Sequence, residues 1–271
     1  MNNDTQYLDL LESVLQNGEH RPSRAGNVRR LFGTSVSFDM SSGWFPLIRT
    51  RKMFPLPVLA ELECFIRGTR KLSDFVEAGC NYWTPNAEAW APGQDDVGRI
   101  YGVQWRHWRK PNGETIDQLV NLVEGLRDEP YGRRHILSAW NPGEMDEMCL
   151  PPCHMMAQFG LERDFLSCVV TQRSVDMCLG LPADMILYGA LLHLICMEVG
   201  RTPGYLTFNF GDTHVYESHV ANAEKLLARP IPAAKPEFHA ELGPGLFRFR
   251  AKNAGITLDA QPEPLFFQLH V

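Results

Sequence analysis

The chain has 271 residues, 44% of them hydrophobic and 21% charged, enough apolar material to fill a core without disulfide staples and no bias toward disorder, collagen or coiled coil. Against 26 Lys and Arg stand 32 Asp and Glu, a net charge of −6, which argues against an extended nucleic-acid-binding face; a local arginine cluster can still hold one phosphate. The longest greasy stretch, Met185 to Met197, contains His193 and is short of the ~18 residues of a membrane span. The polar, acidic start MNNDTQYLDL does not read as a secretory signal, so the expected setting is the cytoplasm, with no membrane partner.

Residues 5–17 place apolar groups at helical spacing and end near Gly18. Residues 31–39 alternate like a strand. Residues 55–67 read as a helix with proline in the first turn and Gly68 just past the end. Residues 116–127 form an amphipathic helix pattern on Ile116, Leu119, Val120 and Val123. Three strand-like runs follow, at 134–140, 155–161 and 165–173, then an apolar helix over about 185–199, a strand at 205–210, and a helix after Asp212. The segment beyond Pro230 is proline-rich, with a candidate edge strand from Phe247 to Arg250. With no internal repeat and no Gly/Ser linker, the pattern predicts one α+β domain over residues 1–271, a mostly β core packed with helices.

Seven cysteines at irregular spacing (64, 80, 149, 153, 168, 178 and 196) fit buried thiols better than a disulfide framework. Cys153 stands out because Pro151 and Pro152 precede it and His154 follows. A lone cysteine is most often an inert core thiol. Zinc is disfavoured, because no second pair of ligands lies at a usual spacing. A nucleophilic cysteine needs nearby positive charge, and Arg133, Arg134 and Arg173 are the candidates. The same arginines, with Ser174 and with Arg24 in a Ser-Arg-Ala-Gly loop, make a natural phosphate site, since guanidinium forks match phosphate oxygens. Any one of them alone would read as surface charge. On the helix from Pro55, Glu61 falls on or beside the apolar stripe, where desolvation raises a carboxyl pKa and suits it to proton transfer. Glu63 falls elsewhere and is expected on the solvated face, paired with Arg67.

Taken together these motifs carry a resemblance. GRRHILSAWNPGEMDEMCLPPCHMMAQF (132–159), QRSVDMCLGLPADM (172–185), GDTHVY (211–216), YGVQWRHW (101–108) and the Arg24 loop occur in the order found in thymidylate synthases, and the similarity runs from about Tyr7 to Pro230. The resemblance implies an α+β fold and a homodimer that binds a pyrimidine nucleoside monophosphate and 5,10-methylenetetrahydrofolate, with no metal and no nucleic-acid partner. By motif position Cys153 is the nucleophile that adds to C6 of the base. Arg24, Arg173 and Ser174 hold the phosphate, with Arg133 and Arg134 reaching across from the other subunit. Gln172 lies in the same substrate-binding segment, and His214 and Tyr216 bond the sugar 3′-hydroxyl. Glu61 organises proton transfer through water, Tyr101 lies near the C5 proton, and Trp83, Asp176 and Gly180 face the folate. Cysteine addition turns C5 into a carbon nucleophile and divides one hard step into two easier ones.

One departure bears on the substrate. Thymidylate synthases carry asparagine where this chain has Asp184. An asparagine amide offers a donor and an acceptor to uracil, whereas a carboxylate accepts from the cytosine amino group and favours a proton on N3. The family's deoxycytidylate hydroxymethylases carry aspartate here. Asp184 could otherwise be an N-cap of the apolar helix, but asparagine would cap as well. The expectation is therefore conversion of dCMP to 5-hydroxymethyl-dCMP, with a dCMP methylase, a CMP hydroxymethylase and a divergent thymidylate synthase acting on dUMP as alternatives, and a catalytically dead nucleotide or RNA binder as the non-enzyme reading. The pattern Glu61-Leu62-Glu63 also resembles the cytidylate branch. The final FFQLHV does not resemble the synthases' closing segment, and a changed seal could admit the water that hydroxymethylation needs. Such chemistry suits a bacteriophage, with the host cytoplasm as setting, or a nucleoside-antibiotic cluster.

Overall fold

A computed structural model describes residues 3–259 and 262–270. Ten strands and eight α-helices are described. A first helix, α1 (Asn3–Asn17), leads into the hairpin of β1 (Glu19–Ser23) and β2 (Gly26–Asp39). Then come α2 (Pro55–Arg67), α3 (Leu72–Ala78), α4 (Thr84–Trp90), α5 (Tyr101–Arg106), the short pair β3 (Trp108–Arg109) and β4 (Thr115–Ile116), and α6 (Gln118–Asp128). The second half of the sheet follows as β5 (Ile136–Ser138), β6 (His154–Glu162) and β7 (Phe165–Asp176); α7 (Gly180–Val199) connects it to β8 (Thr202–Tyr216). After α8 (Val220–Leu227), β9 (Glu237–Ala240) and β10 (Ala254–Thr257) form a separate hairpin.

Six strands make a mixed sheet in the order β1-β2-β8-β7-β6-β5. Only the β7–β8 pair is parallel, and its crossover is α7, as a parallel connection requires. The strands alternate because one face is covered. Val36, Phe38, Leu206, Phe208, Val170, Ala157, Phe159 and Leu137 are all buried and join one hydrophobic core with the helices. On the opposite face the register aligns Ser37, Thr207, Val169, Gln158 and Ile136 across five strands, none of them charged.

Helix α2 has the boundaries its sequence predicts, with Gly68 at φ 67° returning its N–H to the last turn. α6 begins at Asp117, whose side chain accepts from the Val120 N–H. Several expectations change. α7 starts at Gly180, five residues before Met185, so Asp184 lies inside the helix and is not its N-cap. At 20 residues α7 is long and apolar enough to cross a membrane, but 78% of its apolar window is buried inside the fold, the mark of a core helix. The helix expected after Asp212 does not begin at once: β8 runs on to Tyr216 because Asp212 to Tyr216 keep pairing with β2, and α8 starts only at Val220. Phe247–Arg250 is not an edge strand. Leu246–Arg248 is a 3₁₀ turn that buries Leu246 and Phe249, three residues apart, on one side. The strand expected at 134–140 pairs only over Ile136–Ser138.

Candidate active site

Cys153 sits just before β6, where the register against β7 shifts between His154 and Met156, a bulge of the kind that re-aims side chains beside active sites. Three contacts fix it. Its N–H donates to the Tyr101 hydroxyl at 2.8 Å, its carbonyl accepts from the Arg173 N–H at 2.9 Å, and an Arg173 guanidinium N–H points at Sγ from 3.6 Å. Arg173 is itself clamped by the Pro151 and Pro152 carbonyls, so the two prolines orient the cation that faces the thiol. The positive setting expected to lower the thiol's pKa is only partly present: burial pushes it above its ordinary value, and Arg173 offsets that in part. Arg133 and Arg134 do not contribute, because both are exposed.

Glu61 occupies the position its helical spacing predicts. It is 8% exposed, and the Tyr82 hydroxyl and the Trp83 indole N–H each donate to one of its oxygens at 2.7 Å. Burial lifts its pKa to about 7, against the pull of those two donors, which is the range of a proton-transfer group at neutral pH. Glu63 keeps the expected Arg67 partner but not the expected solvated face. It is buried, accepts from the Ala251 N–H at 2.9 Å and lies within 3.7 Å of Arg67 and 3.6 Å of Arg250, because the segment after Pro230 folds over that side of α2.

Asp184 reaches the same buried region. One of its oxygens accepts from Gln172 Nε2 at 3.0 Å, and the other lies 2.9 Å from His154 Nε2. Burial alone would lower the His154 pKa, but the carboxylates of Asp184 and Glu61 carry it above its ordinary value. Tyr101 packs its ring 4.8 Å from that of His154 and 5.0 Å from that of Phe65. His154 Nδ1 and Gln172 Oε1 are buried with no hydrogen-bond partner among the described residues, an arrangement that costs stability unless a ligand or water completes it.

A cavity of about 490 Å³ is lined by Arg173, whose guanidinium faces the Cys153 sulfur, and by Arg24, Ser174, His214 and Tyr216. This brings together five of the expected substrate-binding residues. Arg133 and Arg134 are absent from its lining. Of the residues expected to face the folate, which are not in this lining, Asp176 accepts from the Cys178 N–H at 2.8 Å and faces His219 Nδ1 at 3.8 Å; Gly180 opens α7, and Trp83 is tied to Glu61. The described part of the tail folds back here: the Gln268 carbonyl lies 2.8 Å from His219 Nε2, Phe267 packs under the Arg51 guanidinium, and the His270 ring stacks on Tyr216 at 4.0 Å. Val271 lies outside the described residues.

The partners His154, Tyr82, Asp212 and His270 were missed by the sequence reading. His154 carried a signal, its adjacency to Cys153. Asp212 lies within the GDTHVY run and His270 within the final FFQLHV, where neither carried a role of its own, and Tyr82 sits in ordinary sequence. All seven cysteines are free, and burial raises the thiols of Cys64, Cys80, Cys149, Cys168, Cys178 and Cys196 to about 12 or above, whereas Cys153 has the Arg173 guanidinium 3.6 Å from its sulfur.

Residues 5–257 match the family model described as Thymidylate synthase. The match extends past the Pro230 at which motif similarity fades and takes in the β9–β10 hairpin. With nearly the whole chain covered, this protein belongs to the thymidylate synthase family, whose members transfer a one-carbon unit from methylenetetrahydrofolate to a pyrimidine nucleotide through a catalytic cysteine.

Proposed function

We propose that the protein is a homodimeric dCMP hydroxymethylase that converts dCMP and 5,10-methylenetetrahydrofolate to 5-hydroxymethyl-dCMP. The observation that carries the choice of base is Asp184, an acceptor-only carboxylate in the buried region of Gln172 and His154, with Glu61 and Cys153 close by. Cytosine offers an amino donor and, once protonated at N3, a second donor to such a group. The unpartnered His154 Nδ1 and Gln172 Oε1 are further polar atoms that a bound base could complete.

In this reading Cys153 Sγ attacks C6 of the base as Arg173 stabilises the thiolate. Arg24, Arg173 and Ser174 hold the phosphate, and His214 and Tyr216 hold the sugar. The C5 carbanion equivalent attacks the methylene carbon of the folate, which lies against Trp83, Asp176 and Gly180. Glu61, poised near neutral pH, relays a proton through water, and Tyr101 stands near the C5 proton that must leave. Loss of tetrahydrofolate gives an exocyclic methylene on C5. Water adds to it, and expulsion of Cys153 releases the product. The uncharged row across the outer face of the sheet and the exposed Arg133 and Arg134 support a dimer in which these arginines complete the partner's phosphate site.

Mass analysis of the product formed from dCMP and methylenetetrahydrofolate in ¹⁸O-water tests the proposal. Labelled hydroxymethyl product with tetrahydrofolate is expected. A methyl product with dihydrofolate would move the protein to the methylase reading, and turnover of dUMP in preference to dCMP would overturn the cytosine assignment.

A further inference from the structure

Arg30 lines the nucleotide cavity together with Asp212 and His214, and the three form a chain. Arg30 Nε lies 3.2 Å from Asp212 Oδ2, and Asp212 Oδ1 lies 2.8 Å from His214 Nδ1. Arg30 and His214 are direct partners in the β2–β8 register, so both side chains leave the same face of the sheet side by side. The Arg30 guanidinium also rests 5.5 Å from the centre of the Phe32 ring, which backs it from the solvent side.

A carboxylate only accepts hydrogen bonds, so His214 Nδ1 must carry the hydrogen that faces Asp212. In the neutral ring this leaves Nε2 as a lone-pair acceptor, and no hydrogen bond to it is formed among the described residues. An acceptor in that place requires a donor from the ligand. Tyr216, whose ring meets that of His214 edge-on at 5.1 Å, stands beside it. Asp212 can hold the tautomer only if its own carboxylate is fixed. It is also a negative charge in a cavity meant for a phosphate, and Arg30 answers both needs.

We propose that Arg30 is a positioning residue for the sugar end of the site. Through Asp212 it sets His214 to accept a hydrogen bond, so that the site selects nucleoside monophosphates with a free 3′-hydroxyl and disfavours those whose 3′-oxygen is missing, esterified or phosphorylated. The inference rests on the nucleotide-binding reading above but not on the choice of base.

Calorimetric titration with dCMP and with 2′,3′-dideoxy-CMP tests it, or with the uracil pair if the wild type prefers dUMP. One hydrogen bond to the hydroxyl predicts that wild-type protein binds dCMP about tenfold more tightly than the dideoxy ligand. In Arg30→Gln that ratio falls below about threefold, while affinity for the dideoxy ligand changes less than about twofold. Arg30→Lys, which restores a cation, recovers part of the ratio, and Asp212→Asn, which breaks the chain at its centre, abolishes it. Equal weakening of both ligands by Arg30→Gln would assign Arg30 to the phosphate or to the fold and overturn the proposal, as would an unchanged ratio. Wild-type protein that binds neither the cytosine nor the uracil nucleotide would overturn the nucleotide reading itself, and the role of Arg30 with it.

Discussion

Glu61 links burial to both stability and pH. Its carboxyl titrates near 7, above the ordinary 4.5. The neutral form is the one the site tolerates, so its contribution to stability is fully present below about pH 4.5 and is lost as the pH rises through 7. Glu61→Gln keeps a neutral oxygen for Tyr82 or Trp83 and cannot ionise. Between about pH 4.5 and 8 the stability difference should therefore shift toward the variant by about 3 kcal/mol, read by urea denaturation across that range; a difference that does not vary with pH would show that Glu61 is not held near 7. The same variant should lose turnover, since the proton relay is gone. Asp184 sets a second test. Asp184→Asn replaces an acceptor-only group by a donor–acceptor pair and should move preference from dCMP toward dUMP by roughly ten- to a hundredfold, the cost of a mismatched polar contact in a dry site. The ratio of kcat/KM for the two nucleotides measures it, and no change in that ratio would remove Asp184 from base recognition.

At the scale of elements, the site depends on how closely α5 lies on α2. Gly102 follows Tyr101, and a methyl group there would collide with the Phe65 backbone. The two helices thus meet without an intervening side chain, and this brings Tyr101 on α5 and Glu61 on α2 into one wall with Cys153. Gly102→Ala should force the helices apart, lowering stability by about 1–3 kcal/mol as overpacking does and reducing kcat by moving the Tyr101 hydroxyl away from the Cys153 N–H. An unchanged urea midpoint would show that the crossing has slack. α2 was legible because proline, an apolar stripe and a terminal glycine all agree within 14 residues. α5 was not, because six residues give too little periodicity to separate a helix from a loop. β8 runs beyond the 205–210 that its apolar alternation marks, because Gly211 lies where a side chain would strike the Arg173 carbonyl, and the glycine serves close approach of β8 to β7.

The whole molecule leaves a broad sheet face uncovered, crossed by the uncharged row from Ser37 to Ile136, with Tyr205 and Phe165 also exposed on its strands. A face of this kind fits burial against a second copy better than permanent exposure to water. Arg133 and Arg134, which lie apart from their own subunit's cavity lining, would then reach the partner's phosphate. Cys153→Ser should abolish turnover while nucleotide binding survives, because a serine alkoxide is much harder to form near neutral pH. Arg134→Ala should be nearly inactive for a different reason. Mixing the two under subunit exchange should restore activity, since one hybrid site receives both an intact thiol and an intact arginine. Exchange without any recovery in a turnover assay would place each site within one chain.

The sequence by itself determined the family, the α+β class, Cys153 as the candidate nucleophile, two of the cavity's four arginines (Arg24 and Arg173) and the burial of Glu61. Each of these is written in local order: a proline pair before Cys153, arginines at strand ends, apolar residues three and four apart around a carboxylate. Tertiary structure alone decided what those groups meet. It buried Glu63 under a segment some 190 residues later, made Asp184 the partner of Gln172 and His154 rather than a helix cap, and turned Arg30 and Asp212 into supports for His214. Hydrogen bonds and desolvation act over a few ångströms in space whatever the separation along the chain, so a pattern in sequence can place a residue on a face but cannot name the group that faces it.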